Sequence, residues 1–160
     1  ASFLIAGEGE LNGALQRQIK QLHLEKHVIL TGFRSDVLSL HKSFDLFVMS
    51  SISEGLGTSA LDAMACGRPV IATKVGGLSE VVINRETGLL VPARNAEALA
   101  TGITRLLQDN VLRNTYGQAA LARARVTFNA ERMVQQTLDV YHQLVGTDRG
   151  EDSGYHAAVD

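Results

Sequence analysis

Leu46-Phe47-Val48-Met49-Ser50-Ser51-Ile52-Ser53-Glu54-Gly55-Leu56-Gly57-Thr58-Ser59-Ala60-Leu61-Asp62-Ala63-Met64-Ala65-Cys66-Gly67-Arg68-Pro69-Val70-Ile71-Ala72 is the stretch that decides the fold. Residues 46–49 are an apolar run that reads as a buried strand. Residues 50–57 form a Gly-rich turn. A short helix over about residues 58–65 follows and stops at Gly67, which suits a left-handed cap. Pro69 then opens a second apolar strand, where its missing N–H does little harm. Strand, loop, helix and strand in immediate succession are the repeating unit of a parallel α/β sheet. Two carboxylates lie in this unit: Glu54 just ahead of the helix and Asp62 within it. Between them are backbone amides at a helix N-terminus, a ready place for a phosphate group.

The same alternation extends on both sides. Upstream, residues 3–6 read as a strand, and Gly7-Glu8-Gly9-Glu10 leads to a helix over about residues 11–24. Its apolar positions Leu11, Leu15, Ile19 and Leu22 follow the 3.6-residue period. Gly7 and Gly9 lack the third glycine of a dinucleotide fingerprint, so a tight turn is the first reading and a phosphate- or base-facing loop the second. Residues 28–31 are the next strand. The loop Gly32-Phe33-Arg34-Ser35-Asp36 follows, with Ser35 or Asp36 placed to cap a short helix over residues 37–42. Downstream of the central unit, Gly76-Gly77 is a second glycine turn, read first as a plain turn with Ser79 as the cap of a helical turn over residues 79–83 and second as a weaker anion-binding loop. Residues 87–92 form a last strand closed by Pro92. Three helices end the chain: an apolar stripe through Ala96, Leu99, Ile103, Leu106 and Leu107, a second helix over about residues 111–126, and a third over about residues 130–145. The third carries Val134, Leu138, Tyr141 and Val145 on one face and ends at Gly146.

The expected fold is therefore α/β and Rossmann-like, a mostly parallel sheet of about five strands with helices on both faces and a helical C-terminus. Residues 1–146 form one domain, and the polar residues 147–160 a disordered tail. The abrupt start on a core strand leads one to expect a further β–α unit before it. Ligands bind such sheets beyond the strand C-termini, near the switch point, and that edge holds loops 7–10, 32–36, 50–57 and 74–79.

Composition removes several classes of function. The chain has 160 residues, 45% of them apolar, enough for a sizeable core. Net charge is −2 with both signs dispersed and no Trp, which speaks against nucleic acid. A single cysteine, Cys66, forms no internal disulfide and no Cys-rich metal site. Its expected role is thiol packing. The five histidines share no ligand spacing, so they read as surface or packing residues and no metal is expected. No run approaches the ~20 apolar residues of a membrane span.

At the candidate edge, Glu54 has two readings, a hydrogen-bond acceptor for sugar hydroxyls or a solvated loop residue favoured by the helix dipole. Gly55 and Gly57 allow close backbone approach to a ligand. Asp62 also has two. Ser59-Ala60-Leu61-Asp62 fits a capping box, whereas a helix that starts nearer Gly57 frees Asp62 to face the cleft. The amides of Leu56, Gly57, Thr58 and Ser59 are placed for a diphosphate.

The run from Phe3 to Val145, about nine-tenths of the chain, resembles the C-terminal, nucleotide-sugar-binding domain of retaining GT-B glycosyltransferases of the group 1, family-4 type. Leu4-Ile5-Ala6-Gly7-Glu8-Gly9, Val28-Ile29-Leu30-Thr31-Gly32-Phe33 and Phe44-Asp45-Leu46-Phe47-Val48 carry it, followed by the central motif over residues 53–73. Gly76-Gly77-Leu78-Ser79-Glu80-Val81-Val82 and Thr87-Gly88-Leu89-Leu90-Val91 come next in the same order. The resemblance implies one half of a GT-B fold and a hexosyl transfer, with retention, from a nucleoside diphosphate sugar. Glu54 matches the first acidic residue of the Glu–seven residues–Glu motif, the catalytic position beside the donor sugar. Gly55, Leu56, Gly57 and Thr58 match the loop that holds sugar and diphosphate. Asp62 stands at the ribose position, one methylene shorter than the family's glutamate. Gly32, Phe33 and Arg34 match the wall beside the nucleobase, and Gly7, Glu8, Gly76 and Gly77 are further cleft-loop residues. Met49 replaces a frequent proline.

The resemblance implies no cofactor or metal and a donor that is a UDP-sugar rather than a GDP-sugar, although the residues themselves do not choose among UDP, GDP and ADP. It implies an N-terminal acceptor-binding domain in the same parent chain, along with basic residues that grip the diphosphate, so that this piece alone would bind without transferring. The expected location is cytoplasmic, with the parent enzyme peripheral at the inner face of the membrane. Two other readings stay open: a nucleotide-sugar binding module or degenerate homologue without activity, and an epimerase or phosphorylase, for which Lys74 is the only lysine beside these loops.

Overall fold

The structure is a computed structural model that describes residues 1–145; the helix end at Gly146 and the tail over residues 147–160 lie outside the described residues. Strands and helices alternate as β1 (Phe3–Ala6), α1 (Asn12–Gln21), β2 (Val28–Gly32), α2 (Val37–Ser43), β3 (Phe47–Met49), α3 (Thr58–Ala65), β4 (Val70–Thr73), α4 (Leu78–Val81) and β5 (Gly88–Val91). Three helices follow: α5 (Ala96–Gln108), α6 (Asn110–Thr127) and α7 (Ala130–Val145).

All strand pairs are parallel. β4 lies between β3 and β5 and is buried along its whole length. Its side chains alternate between two cores. Val70 and Ala72 pack with Ala60, Ala63 and Met64 of α3, Leu78 and Val81 of α4, and Ala120 and Ala124 of α6. Ile71 packs on the other face with Leu89, Val91, Leu106 and Tyr116. A strand covered on both faces reads as a continuous apolar run, here Val70-Ile71-Ala72, which is why it shows no alternation in sequence.

The expected single sheet is divided. β1 pairs with β2 alone, and β3–β4–β5 form a separate sheet. Hydrogen bonding shows which edges are open. Phe3 N donates to His27 O (2.7 Å) and Gly7 N to Gly32 O (2.8 Å), so the amides of Leu4 and Ala6 point away from β2. Phe47 N donates to Pro69 O (3.0 Å), so the Val48 amide points away from β4. β1 is accordingly exposed despite its apolar sequence, with Phe3 and Ile5 41% and 42% accessible. The second half of the fold holds both cores, and α2 joins the first half to it by packing on α3.

Several local expectations are corrected. α1 is shorter than its apolar period, and Leu11 and Leu22 are exposed at its ends, because nothing described packs over them. Strand β3 starts at Phe47, one residue after Leu46. α4 begins at Leu78 with Gly77 at the cap position, so Ser79 lies inside the helix and caps nothing. Asp36 does occupy the cap position of α2, but makes no cap bond. Its carboxylate is taken by the Arg34 guanidinium. The periodic face of α7 (Val134, Leu138, Tyr141 and Val145) is uncovered.

Candidate functional site

The turn into α3 is made by Gly57, left-handed at φ +84°. The Gly57 carbonyl accepts from the amides of Ala60 (2.9 Å) and Leu61 (3.2 Å), which start the helix. The amides of Leu56, Gly57, Thr58 and Ser59 donate to no protein acceptor among the described residues. Four N–H groups at one helix end, the positive end of its dipole, form an anion site in chemical character. Because α3 starts at Thr58, Ser59 is not its cap and the capping-box reading of Asp62 falls away. Asp62 is instead exposed in the second turn.

Glu54 is half-buried. The Ser51 hydroxyl donates to its Oε2 at 3.4 Å, and Thr73 Oγ1 in turn donates to the Ser51 carbonyl at 2.5 Å. The loop that carries Glu54 rests on the Gly76-Gly77 turn. Gly77 N donates to Gly55 O at 3.0 Å. A Cβ built on Gly76, itself at φ +46°, would run into the Glu54 carbonyl oxygen. Gly76 and Gly77 are therefore a support under the loop, in a backbone contact too close for any side chain. Gly55 differs: a Cβ there meets nothing within 4 Å, so its bare face is open to solvent or a ligand.

The other two loops form a second pair. Gly7 N bonds to Gly32 O, and Glu8 Oε1 accepts from Phe33 N at 3.3 Å. Phe33 is 73% exposed. Arg34 makes a two-pronged contact with Asp36, Nε to Oδ1 at 2.7 Å and Nη2 to Oδ2 at 2.6 Å. This bonding holds the Asp36 carboxyl below the usual carboxylate range and raises Arg34. No hydrogen bond among the described residues links this pair of loops to the pair at 50–57 and 74–79. The structure thus brings Glu54, Gly55, Gly57, Gly76 and Gly77 together, and separately Gly7, Glu8, Gly32, Phe33 and Arg34.

Ser51 and Thr73 were missed by sequence reasoning. The available signal was position: Ser51 stands three residues before Glu54, and Thr73 closes a buried strand at its C-terminal end. Among the histidines, His41 is buried in α2 against Phe44 and Phe47, and Cys66 is half-buried at the end of α3. No group of three or more His, Cys, Asp or Glu among the described residues is placed to hold a metal ion, and no described helix is long and apolar enough to cross a membrane.

Comparison with known proteins bears on this arrangement. Residues 1–123 match the family model described as glycosyl transferases group 1. The chain belongs to the group 1 glycosyltransferases. The match runs from β1 through most of α6 and includes all four loops. This group 1 chain is 32% identical over 149 residues to N-acetyl-alpha-D-glucosaminyl L-malate synthase of Bacillus anthracis, covering 93% of the chain and 39% of that protein. It is similar in structure to Anabaena Alr3699/HepE, solved in complex with UDP, at TM-score 0.84 and 29% identity over 89% of the chain and 41% of that protein. The complex of the same protein with UDP-glucose gives TM-score 0.81 at 30% identity. Its parallel α/β architecture matches that of GT-B glycosyltransferases. The chain spans about two-fifths of the length of these relatives.

Proposed function

We propose that this chain is the C-terminal, donor-binding part of a retaining, family-4 type GT-B enzyme that moves a hexosyl group from a UDP-sugar to an acceptor. The observation that carries the reading is the set of four amides at the start of α3 with no acceptor among the described residues, next in the chain to the open face of Gly55 and the half-buried Glu54. UDP and UDP-glucose bound to a similar structure support a uridine donor over a GDP-sugar.

In this reading the diphosphate rests on the amides of Leu56, Gly57, Thr58 and Ser59, and Gly55 gives the donor sugar room to approach. Glu54, oriented by Ser51, accepts hydrogen bonds from sugar hydroxyls beside the reacting carbon. Asp62 takes the ribose hydroxyls, and Gly32, Phe33 and Arg34 wall the base. Gly7 and Glu8 hold that wall in place. Catalysis is electrostatic: fixed amides and the helix dipole stabilise the charge that builds on the diphosphate as the glycosidic bond breaks. No metal or other cofactor is needed for that step when amides and cations carry the charge.

The acceptor-binding domain and the basic residues that complete the diphosphate grip belong to the rest of the parent chain. The open edges of β1 and β3 are where we place the connection. A parallel strand seated between them would join the two sheets into one and put its following loop at the switch point, between the two loop pairs. Residues 1–146 form the domain, which binds donor but does not transfer it alone, and the parent works in the cytoplasm at the inner membrane face. A second reading, a nucleotide-sugar binding module without transfer, is favoured by Asp62, which is shorter than glutamate.

Calorimetric titration of the chain with UDP-glucose tests the proposal. Saturable binding that Glu54→Ala weakens is the expected result. Absence of binding, or equal affinity in Glu54→Ala, overturns it. Transfer by the parent enzyme, compared between its native form and Asp62→Glu, separates enzyme from binding module: no turnover in either form leaves the module.

A further inference from the structure

Thr73 is the polar residue of β4, and the donor reading gives it no role. It is 3% exposed. The rest of the strand, Val70, Ile71 and Ala72, is apolar, and a valine would fill the last place without a hydroxyl to satisfy. The hydroxyl has a specific use. The β3–β4 ladder ends with Met49 opposite Ala72. Thr73 is the next residue, and its Oγ1 donates to the Ser51 carbonyl at 2.5 Å, in the loop that leaves β3.

The segment from Ser51 to Gly55 is thereby held at both ends by one stretch of chain. The Thr73 hydroxyl holds Ser51 O, and Gly77 N holds Gly55 O at 3.0 Å. Glu54 lies between these anchors. Its Cγ stands 3.7 Å from the position of a Cβ built on Gly57, beside the turn that starts α3. Its Oε2 faces the Ser51 hydroxyl at 3.4 Å. That is long for a hydroxyl on a carboxylate, where about 2.5–2.7 Å is usual, and such bonds tighten when a site takes up its ligand. No other donor among the described residues reaches the carboxylate, so Oε1 keeps its capacity to accept.

We propose that Thr73 is a positioning residue for Glu54, acting through Ser51. The Thr73 hydroxyl fixes the Ser51 backbone. The Ser51 hydroxyl closes on Oε2 as the donor binds, and Oε1 alone is presented to a hydroxyl of the hexose. The proposal rests on the sugar-contacting role given to Glu54 above. A carboxylate already directed by a neighbouring hydroxyl loses less side-chain freedom on binding, so the device raises affinity for the hexose and not for the nucleotide. The diphosphate amides begin beyond Gly55, past the anchor that Gly77 supplies. Loss of the Thr73 hydroxyl therefore loosens the near end of the loop and spares the far one.

Two measurements on the full chain test this. Calorimetry compares UDP-glucose with UDP, which lacks the hexose. Thr73→Val and Ser51→Ala are each expected to weaken UDP-glucose about three- to tenfold, as for one side chain left to be ordered on binding, and to leave UDP affinity unchanged. Thr73→Ala supplies the same comparison if Thr73→Val does not fold. Thr73→Ser, which keeps the hydroxyl, is expected to bind both ligands as the wild type does. Added to Glu54→Ala, Ser51→Ala is expected to cost nothing further. A merely structural role moves UDP and UDP-glucose together, so equal weakening of both overturns the proposal. So does unchanged UDP-glucose affinity in Thr73→Val, an equal loss in Thr73→Ser, or an added loss in the double variant. The second measurement needs no ligand: NMR relaxation of the Glu54 side-chain carbons is expected to show greater mobility in Thr73→Val and Ser51→Ala than in the wild type, and equal mobility overturns the proposal. Failure of the wild-type chain to bind UDP-glucose overturns the donor reading instead, while the ligand-free measurement still decides whether Thr73 and Ser51 order Glu54.

Discussion

Gly76→Ala separates support of the Glu54 loop from contact with a ligand. At φ +46° an alanine takes left-handed strain, and its Cβ has to displace the Glu54 carbonyl group, whose carbon lies 3.1 Å from the built position. Strain of that kind costs about 1–2 kcal/mol and overpacking a fixed backbone about 1–3 kcal/mol. Moving the two loops apart also breaks the bond from Gly77 N to Gly55 O, worth about 1 kcal/mol. Allowing for overlap among these effects, the loss is about 3–5 kcal/mol. In a chain of this size it lowers the thermal midpoint by about 6–20 °C. Circular dichroism on heating and urea unfolding measure it. The partner experiment is Gly55→Ala, where the Cβ enters open space and φ is unstrained. Its stability is expected to stay within about 0.5 kcal/mol of the wild type, while UDP-glucose affinity falls. A Gly76→Ala chain within about 1 kcal/mol of the wild type, or a Gly55→Ala chain as unstable as Gly76→Ala, refutes the division of roles between the two glycines.

Stability also depends on pH through His41. Its folded-state affinity for a proton lies below that of an unfolded histidine near 6.5. As pH falls below that value the unfolded chain binds a proton that the folded chain refuses, so stability is lost on acidification, by at most about 1.4 kcal/mol per pH unit. His41→Phe is expected to flatten the urea midpoint between pH 7 and 5; an unchanged slope refutes the assignment. Arg34→Ala is expected to leave thermal stability unaltered, because its pair with Asp36 is solvent-exposed on both sides, and to reduce UDP-glucose affinity by calorimetry. Arg123 donates to the carbonyls of Val81 (3.0 Å) and Glu80 (2.6 Å) and stacks over Phe128 (5.2 Å). Arg123→Ala should therefore destabilise the chain by about 2 kcal/mol in urea unfolding.

Much of the site was legible as a set of residues and little of it as an arrangement. The Glu54–Gly57 loop and the helix after it were readable because strand, turn and helix are adjacent in the chain. The pairing of loops was not. In sequence, Gly76-Gly77 reads as a plain or weakly anion-binding turn with Ser79 as cap. Its use is to lie under a loop more than twenty residues away, and nothing in its neighbours records that. Asp36 offers another case. Its type and position fit a helix cap, but Arg34 competes for the same carboxylate with a charged fork, and the charged fork wins.

The amino-acid order alone determined α3, its stop at Gly67, the buried β4 and the start of α7, because periodicity, caps and turn residues act within a few positions of one another. Tertiary structure decided what those elements face. It left the α3 amides without acceptors among the described residues, set Gly76 beneath Glu54, buried His41 between two aromatic rings, and kept β1 and β3 as separate open edges. Each of these depends on groups distant in the chain that meet only when the chain is packed, so no local pattern can carry them.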